Sequence, residues 1–218
     1  MRLIIVVEGK TEEEFVNEII RPYFQSIGFY DITAIKIQTS KGFKGGFVNY
    51  QHLKRDIMRL LHESNTLVTT FVDYFRIPNN LPDFENCMKF SQASERIICL
   101  EASIKSDIGY EGRFIPYIQQ HEFESLLFTN SKSYTIYYDN NVVSAIERII
   151  VQYDNPEDIN DSPSTAPSKR LLSIISNYKK VTDGNLIALE TGIEQIMIRC
   201  PRFRAWIELL QEYCVGNG

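Results

Sequence analysis

The chain has 218 residues, enough for one large domain or for a domain with a small appendage. A hydrophobic content of 44% with 12% aromatic residues excludes a disordered chain, and no apolar run is long enough to span a bilayer. A formal net charge of −5 argues against a protein that coats nucleic acid, yet leaves room for a local basic groove beside an acidic centre.

The opening Met1-Arg2-Leu3-Ile4-Ile5-Val6-Val7 reaches an acidic residue almost at once, so a buried strand over 3–7 is expected and a signal peptide is not. A helix is expected from Thr11, its hydroxyl capping free amides while Glu14 reaches back, with Phe15, Ile19, Ile20 and Tyr23 on its apolar side. Pro22 is expected to bend or end it. A second strand fits 32–37, followed by the loop Ser40-Lys41-Gly42-Phe43-Lys44-Gly45-Gly46 and a helix over 50–62. A third strand over 67–72 ends at Asp73. Beyond Pro78 and Pro82 the pattern reads as one long helix over 84–108, a fourth strand over 113–118, and a helix over 121–128. Strands alternating with helices imply an α/β fold with a mainly parallel sheet, whose chemistry collects at the C-terminal strand ends.

The second half is different in character. Residues 155–167 form a polar loop with Pro156, Pro163 and Pro167, and helices are expected over 169–178, 185–191 and 201–213. This suggests an α/β part over 1–130 and a helical C-terminal region, 131–218, packed on it. Phe203 and Trp206 read as core anchors of the last helix. Cys87, Cys99, Cys200 and Cys214 are widely spaced without a Cys-x-x-Cys pair, so reduced thiols in the cytoplasm are expected.

Three acidic groups fall at expected strand ends. Glu8 and Glu12 bracket a glycine turn, and their spacing lets both carboxylates face one space, as a hard cation such as magnesium requires. Glu12, Glu13 and Glu14 also suit a helix N-terminus through its dipole. Asp73 ends an apolar strand, where it can ligate a metal or cap a turn. In Gln120-His121-Glu122-Phe123-Glu124, His121 and Glu124 are expected on one helix face with Glu122 pointing elsewhere, and His121 can serve proton transfer. The histidines complete no zinc motif. Lys41 and Lys44 offer cations to phosphate, or simply belong to a flexible loop that lacks P-loop spacing. Lys169, Arg170, Lys179 and Lys180 supply the densest positive charge, for phosphate or for a solvated helix face.

The strand-Glu8-Gly9-x-Thr11-Glu12 motif and the second strand ending in an acid resemble the Toprim fold, shared by topoisomerases, primases and overcoming-lysogenization-defect nucleases. The chain is more specifically similar to the bacterial family called domain of unknown function 4276. The matching segments are Val7 through Glu13, Thr69 through Phe75, Arg113 through Glu124, Ile159 through Arg170, and Tyr178-Lys179-Lys180. The resemblance implies that Glu8 binds metal or acts as general base and that Asp73 is a metal ligand, with Glu12 the second acid of the turn. Phe75 stands where Toprim proteins carry a further acid, and Glu122 and Glu124 are the substitutes. Also implied are a Mg2+- or Mn2+-dependent nuclease acting on DNA or RNA and an ATPase partner in phage defence. Where two metals bind, they sit about 3.5–4 Å apart. The alternatives are a non-catalytic module that partners the ATPase, and a hydrolase of small phosphorylated substrates.

Overall fold

Leu3 to Val7 are β-branched or leucine without alternation, a pattern that suits a strand covered on both faces. They form β1 (Arg2–Val7) and are completely buried. The computed structural model describes residues 1–40, 43–44, 46–160 and 164–216. After β1 the chain enters α1 (Lys10–Phe15), passes a π-helical turn at Val16–Ile20, and continues as α2 (Arg21–Ser26). Gly9, not Thr11, caps this run: its N–H donates to the Glu12 carboxylate at 2.9 Å. Pro22 does not end the helix. Its ring would meet the carbonyl of residue 18, and the widened turn spans that residue.

Then come β2 (Ile32–Lys36), an antiparallel pair of β3 (Gln38–Ser40) and β4 (Phe43–Lys44), α3 (Tyr50–Leu61) and β5 (Thr66–Asp73). All eight residues of β5 are buried. The single helix expected over 84–108 is in fact two, α4 (Phe84–Cys87) and α5 (Ala93–Ile108). The second starts afresh at Gln92, whose N–H donates to Glu95. The strand expected over 113–118 splits at Pro116 into β6 (Phe114–Ile115) and β7 (Ile118–Gln119). Proline has no N–H for the ladder, and the Thr70 hydroxyl bridges the gap by bonding the Tyr117 N–H and carbonyl, both at 2.8 Å.

The sheet runs β2-β1-β5-β6, with β7 also on β5, and every pairing is parallel. The helix expected over 121–128 is a 3-10 turn at Phe123–Thr129. His121 lies outside it with φ 63°, which breaks the helical path. After a 3-10 turn at Ser131–Tyr134 come α6 (Asn140–Ile150), a 3-10 turn at Pro156–Asp158, α7 (Pro167–Ile174), α8 (Lys180–Thr191), α9 (Ile193–Arg199) and α10 (Pro201–Val215). Helices α6 and α9 go beyond the sequence expectation.

Two apolar layers sandwich the sheet. Leu3, Ile5 and Val7 face Phe15, Ile19, Ile20 and the C-terminal helices, including Leu171, Ile187 and Phe203. Ile4 and Val6 face the other layer, built on Leu53 and Ile57 of α3 and on Ile97, Leu100, Ile104 and Ile108 of α5. Trp206 of α10 stacks on Tyr117 at 4.3 Å, and its indole N–H donates to Thr69 of β5 at 2.9 Å. No helix among the described residues is long and apolar enough to cross a membrane. Cys87 and Cys99 form a disulfide, in place of the reduced thiols expected, because α4 and α5 bring their Cα atoms to 5.4 Å. Cys200 and Cys214 are free.

Candidate metal centre

Because β1 and β5 pair in parallel, with Val7 opposite Phe71, they release the chain side by side. Glu8 and Asp73 therefore emerge at one edge. The Glu8 carboxylate accepts the Asp73 N–H at 3.4 Å and is also bonded by the Phe47 backbone. Gly9 leaves room for the Glu12 carboxylate to close on the turn, since a Cβ there would lie 3.1 Å from a Glu12 oxygen. Asp73 Oδ1 accepts the Phe123 N–H at 2.8 Å, which fixes the turn that presents Glu124.

Into this group reaches Lys180, the first residue of α8. Its Nζ lies 3.1 Å from Glu124 Oε2, 3.5 Å from Asp73 Oδ2 and 3.9 Å from Glu12 Oε1. Asn185, in the next turn and a half of α8, donates to the Thr11 carbonyl at 3.2 Å and ties the helix to the Glu8–Glu12 turn. Three carboxyl groups thus gather around one ammonium, with the Glu8 carboxyl beside them on the Asp73 N–H.

The electrostatics follow from that imbalance. Burial raises the Glu8 carboxyl above its ordinary range, and the neighbouring Glu12 adds to this. Burial raises Asp73 strongly; Lys180 pulls it down, while Glu12, Glu8 and Glu124 push it up again. Burial takes Glu124 to about 7 despite the opposing pull of Lys180. Burial alone would lower the Lys180 ammonium, but Asp73, Glu124 and Glu12 raise it well above the usual lysine range.

These residues suit a hard divalent cation. The donors are carboxylate oxygens, and Glu124 is fully buried with the Lys180 ammonium at 3.1 Å as its charged partner. No three of the carboxylates bring oxygens within 4.8 Å of one another; they are spread around the ammonium. Glu8, Asp73 and Glu124, with Glu12, are the groups that would hold such an ion.

The other candidates lie outside this cluster. Glu122 turns to α7, accepting the Ser168 N–H at 2.9 Å and its hydroxyl at 3.0 Å. His121 Nδ1 meets the Asn160 amide at 3.1 Å, and its carbonyl accepts the Phe75 N–H. Phe75 is half-buried beneath the Arg76 guanidinium. Lys169 and Arg170 line a hollow of about 400 Å³ with Arg148, Ser164, Thr165 and Ser173. Lys179 is exposed. Lys41 lies outside the described residues, as does the side chain of Lys44.

Sequence reasoning missed Tyr178 and Asn185. The Tyr178 hydroxyl is buried without a hydrogen-bond partner, and burial and then Glu124 raise it above the ordinary phenol range. Its only signal was its place beside Lys179-Lys180. Asn185, whose Oδ1 is also unpartnered, stood at the start of an expected helix with nothing to link it to Thr11.

No curated protein matches the chain. Among solved structures it is similar to the C-terminal region of the Burkholderia pseudomallei OLD protein, at 15% identity and TM-score 0.46, over 94% of this chain and 98% of that one. It is similar also to the C-terminal region of the Xanthomonas campestris pv. campestris OLD protein, at 14% identity and TM-score 0.41, over 96% and 98%. The family model described as Domain of unknown function (DUF4276) matches residues 7–211, and the chain belongs to that family.

Proposed function

We propose that the protein is a Mg2+- or Mn2+-dependent nuclease, or the nuclease subunit of a phage-defence system, built on a Toprim-like α/β part over 1–130. The carrying observation is the convergence of Glu12, Asp73 and Glu124 on the Lys180 ammonium, with Glu8 beside them on the Asp73 N–H, where the parallel strands β1 and β5 end. Glu124 supplies the acid that the Toprim resemblance leaves vacant at Phe75. The helical region over 131–218 contributes Lys180, so both parts are needed for the site.

A divalent ion held by these carboxylates would act as a Lewis acid toward a phosphodiester oxygen and lower the pKa of bound water. The chain's own groups have definable tasks. Lys180, two-fifths exposed, offers its ammonium to phosphate charge. Glu8, half-buried and held by the Phe47 and Asp73 amides, is oriented as a ligand or as a base with a raised pKa. Asp73 orients Glu124 through Phe123. The expected result is Mn2+-dependent cleavage of DNA or RNA by the wild type and its loss in Glu8→Gln. Unchanged cleavage in the variant removes Glu8 from the chemistry.

One observation favours a second reading, a non-catalytic module that partners an ATPase. Lys180 already neutralises part of the acidic cluster. Calorimetric titration with Mg2+ and Mn2+ separates the two: binding supports the nuclease, and no binding supports the module.

A further inference from the structure

On the face of the sheet away from α1 and the C-terminal helices, Cys87 is completely buried in the apolar layer and Cys99 is half-buried against it. Asp83 stands four residues before Cys87, with its side chain exposed. Both sulfurs and one Asp83 carboxylate oxygen lie within 4.8 Å of one another. Among the described residues no other three His, Cys, Asp or Glu side chains come this close. Asn86 donates a side-chain hydrogen bond to Asp83 Oδ1 and so orients the carboxylate from outside the trio.

We infer that the reduced Cys87–Cys99 pair, together with Asp83, forms a binding site for a thiophilic divalent cation of the zinc class. Two thiolates and a carboxylate are a donor set that zinc accepts, and a water completes the tetrahedron on the exposed side. The acidic cluster at Glu8 offers oxygen alone and suits a harder ion. Disulfide and chelate are alternative states of the same two sulfurs. A small-molecule thiol opens the disulfide: two external thiols give two electrons and two protons, leaving two cysteine thiols and one external disulfide. The cation then displaces both thiol protons to solvent. An isolated thiolate at the buried Cys87 would be disfavoured in its apolar surroundings, and the bound cation supplies the missing counter-charge. In either state α4 stays fastened to α5, so the link between the two helices survives reduction.

The inference does not depend on nuclease activity, and cobalt(II) is its probe. Cobalt bound by thiolate gives a near-ultraviolet charge-transfer band that carboxylates cannot produce. Titrated into the thiol-reduced full-length chain, cobalt is expected to give this band with saturation at a single equivalent. Oxidised protein should give none. Cys99→Ala, at a half-buried position and checked for folding by circular dichroism, should abolish the band, and Asp83→Asn should shift the midpoint to higher cobalt. The proposal is overturned by a reduced wild type without the band, by a band that survives Cys99→Ala, or by Asp83→Asn titrating as wild type does.

Discussion

Lys180 faces three carboxylates with a single positive charge. It is the one ammonium placed against Glu12, Asp73 and Glu124, and its removal leaves buried carboxylates repelling one another. Lys180→Met should cost about 1–2 kcal/mol at pH 8, below the roughly 3–5 kcal/mol of a fully buried pair because the side chain is partly exposed. The cost should shrink at pH 5.5, where the carboxyls take up protons. Urea unfolding at the two pH values measures it. The same variant should bind Mg2+ more tightly by calorimetry, since it removes a competing cation. In the wild type, Glu124 contributes to the pH dependence of Mg2+ binding beside Glu8 and Asp73, whose carboxyls are also raised. With its pKa near 7, the proton competes with the metal below neutrality, and affinity should fall about tenfold per pH unit there. A flat affinity between pH 5.5 and 8 would exclude Glu124 as a ligand.

At the scale of elements, α10 depends on Glu157 for its start. This fully buried carboxylate accepts the Arg202 and Phe203 N–H groups at 2.8 and 3.2 Å, satisfying amides that the helix leaves open. Burial raises Glu157 to about 7 against the pull of those amides and of Arg202. An acid whose folded pKa is raised contributes most below its unfolded pKa, and that contribution is lost as pH climbs toward the folded value. Melting temperatures from pH 4.5 to 8 should therefore fall more steeply in wild type than in Glu157→Gln, where the titration is gone. Parallel curves would show that Glu157 does not titrate in this window. The start of α10 was legible in the sequence; its cap was not, because Glu157 lies 45 residues from Arg202 in a loop that reads only as polar.

For the whole molecule, Trp206 fastens the C-terminal helices to the sheet. It stacks on Tyr117, lies 5.4 Å from the Phe71 ring and donates to Thr69. Trp206→Ala should cost about 3–5 kcal/mol in urea, as large-to-small core changes of this size do. Because one apolar layer joins Leu3, Phe15 and Phe71 to Ile187, Phe203 and Leu210, the variant should keep a single unfolding transition. A second transition would show that the helical part melts alone.

What the sequence determined by itself is local in origin. Leu3 to Val7 are an apolar run and Leu67 to Val72 an apolar and β-branched one, patterns that settle into strands wherever they are buried, and Glu8 and Asp73 follow them directly, so these two acids of the candidate site were legible. Patterns that depend on a neighbour elsewhere were misread. The His121–Glu124 helix face dissolved because His121 takes a positive φ, and the 84–108 helix broke before Gln92; Glu122 does point elsewhere, as expected, but to Ser168 of α7 and not to the acidic cluster. Only the tertiary structure decided that Lys180, 107 residues beyond Asp73, stands among the carboxylates, and that Cys87 meets Cys99. The reason is physical: periodicity records which face of an element is buried, whereas charge pairing and sulfur contact depend on how separate elements pack, which no spacing along the chain encodes.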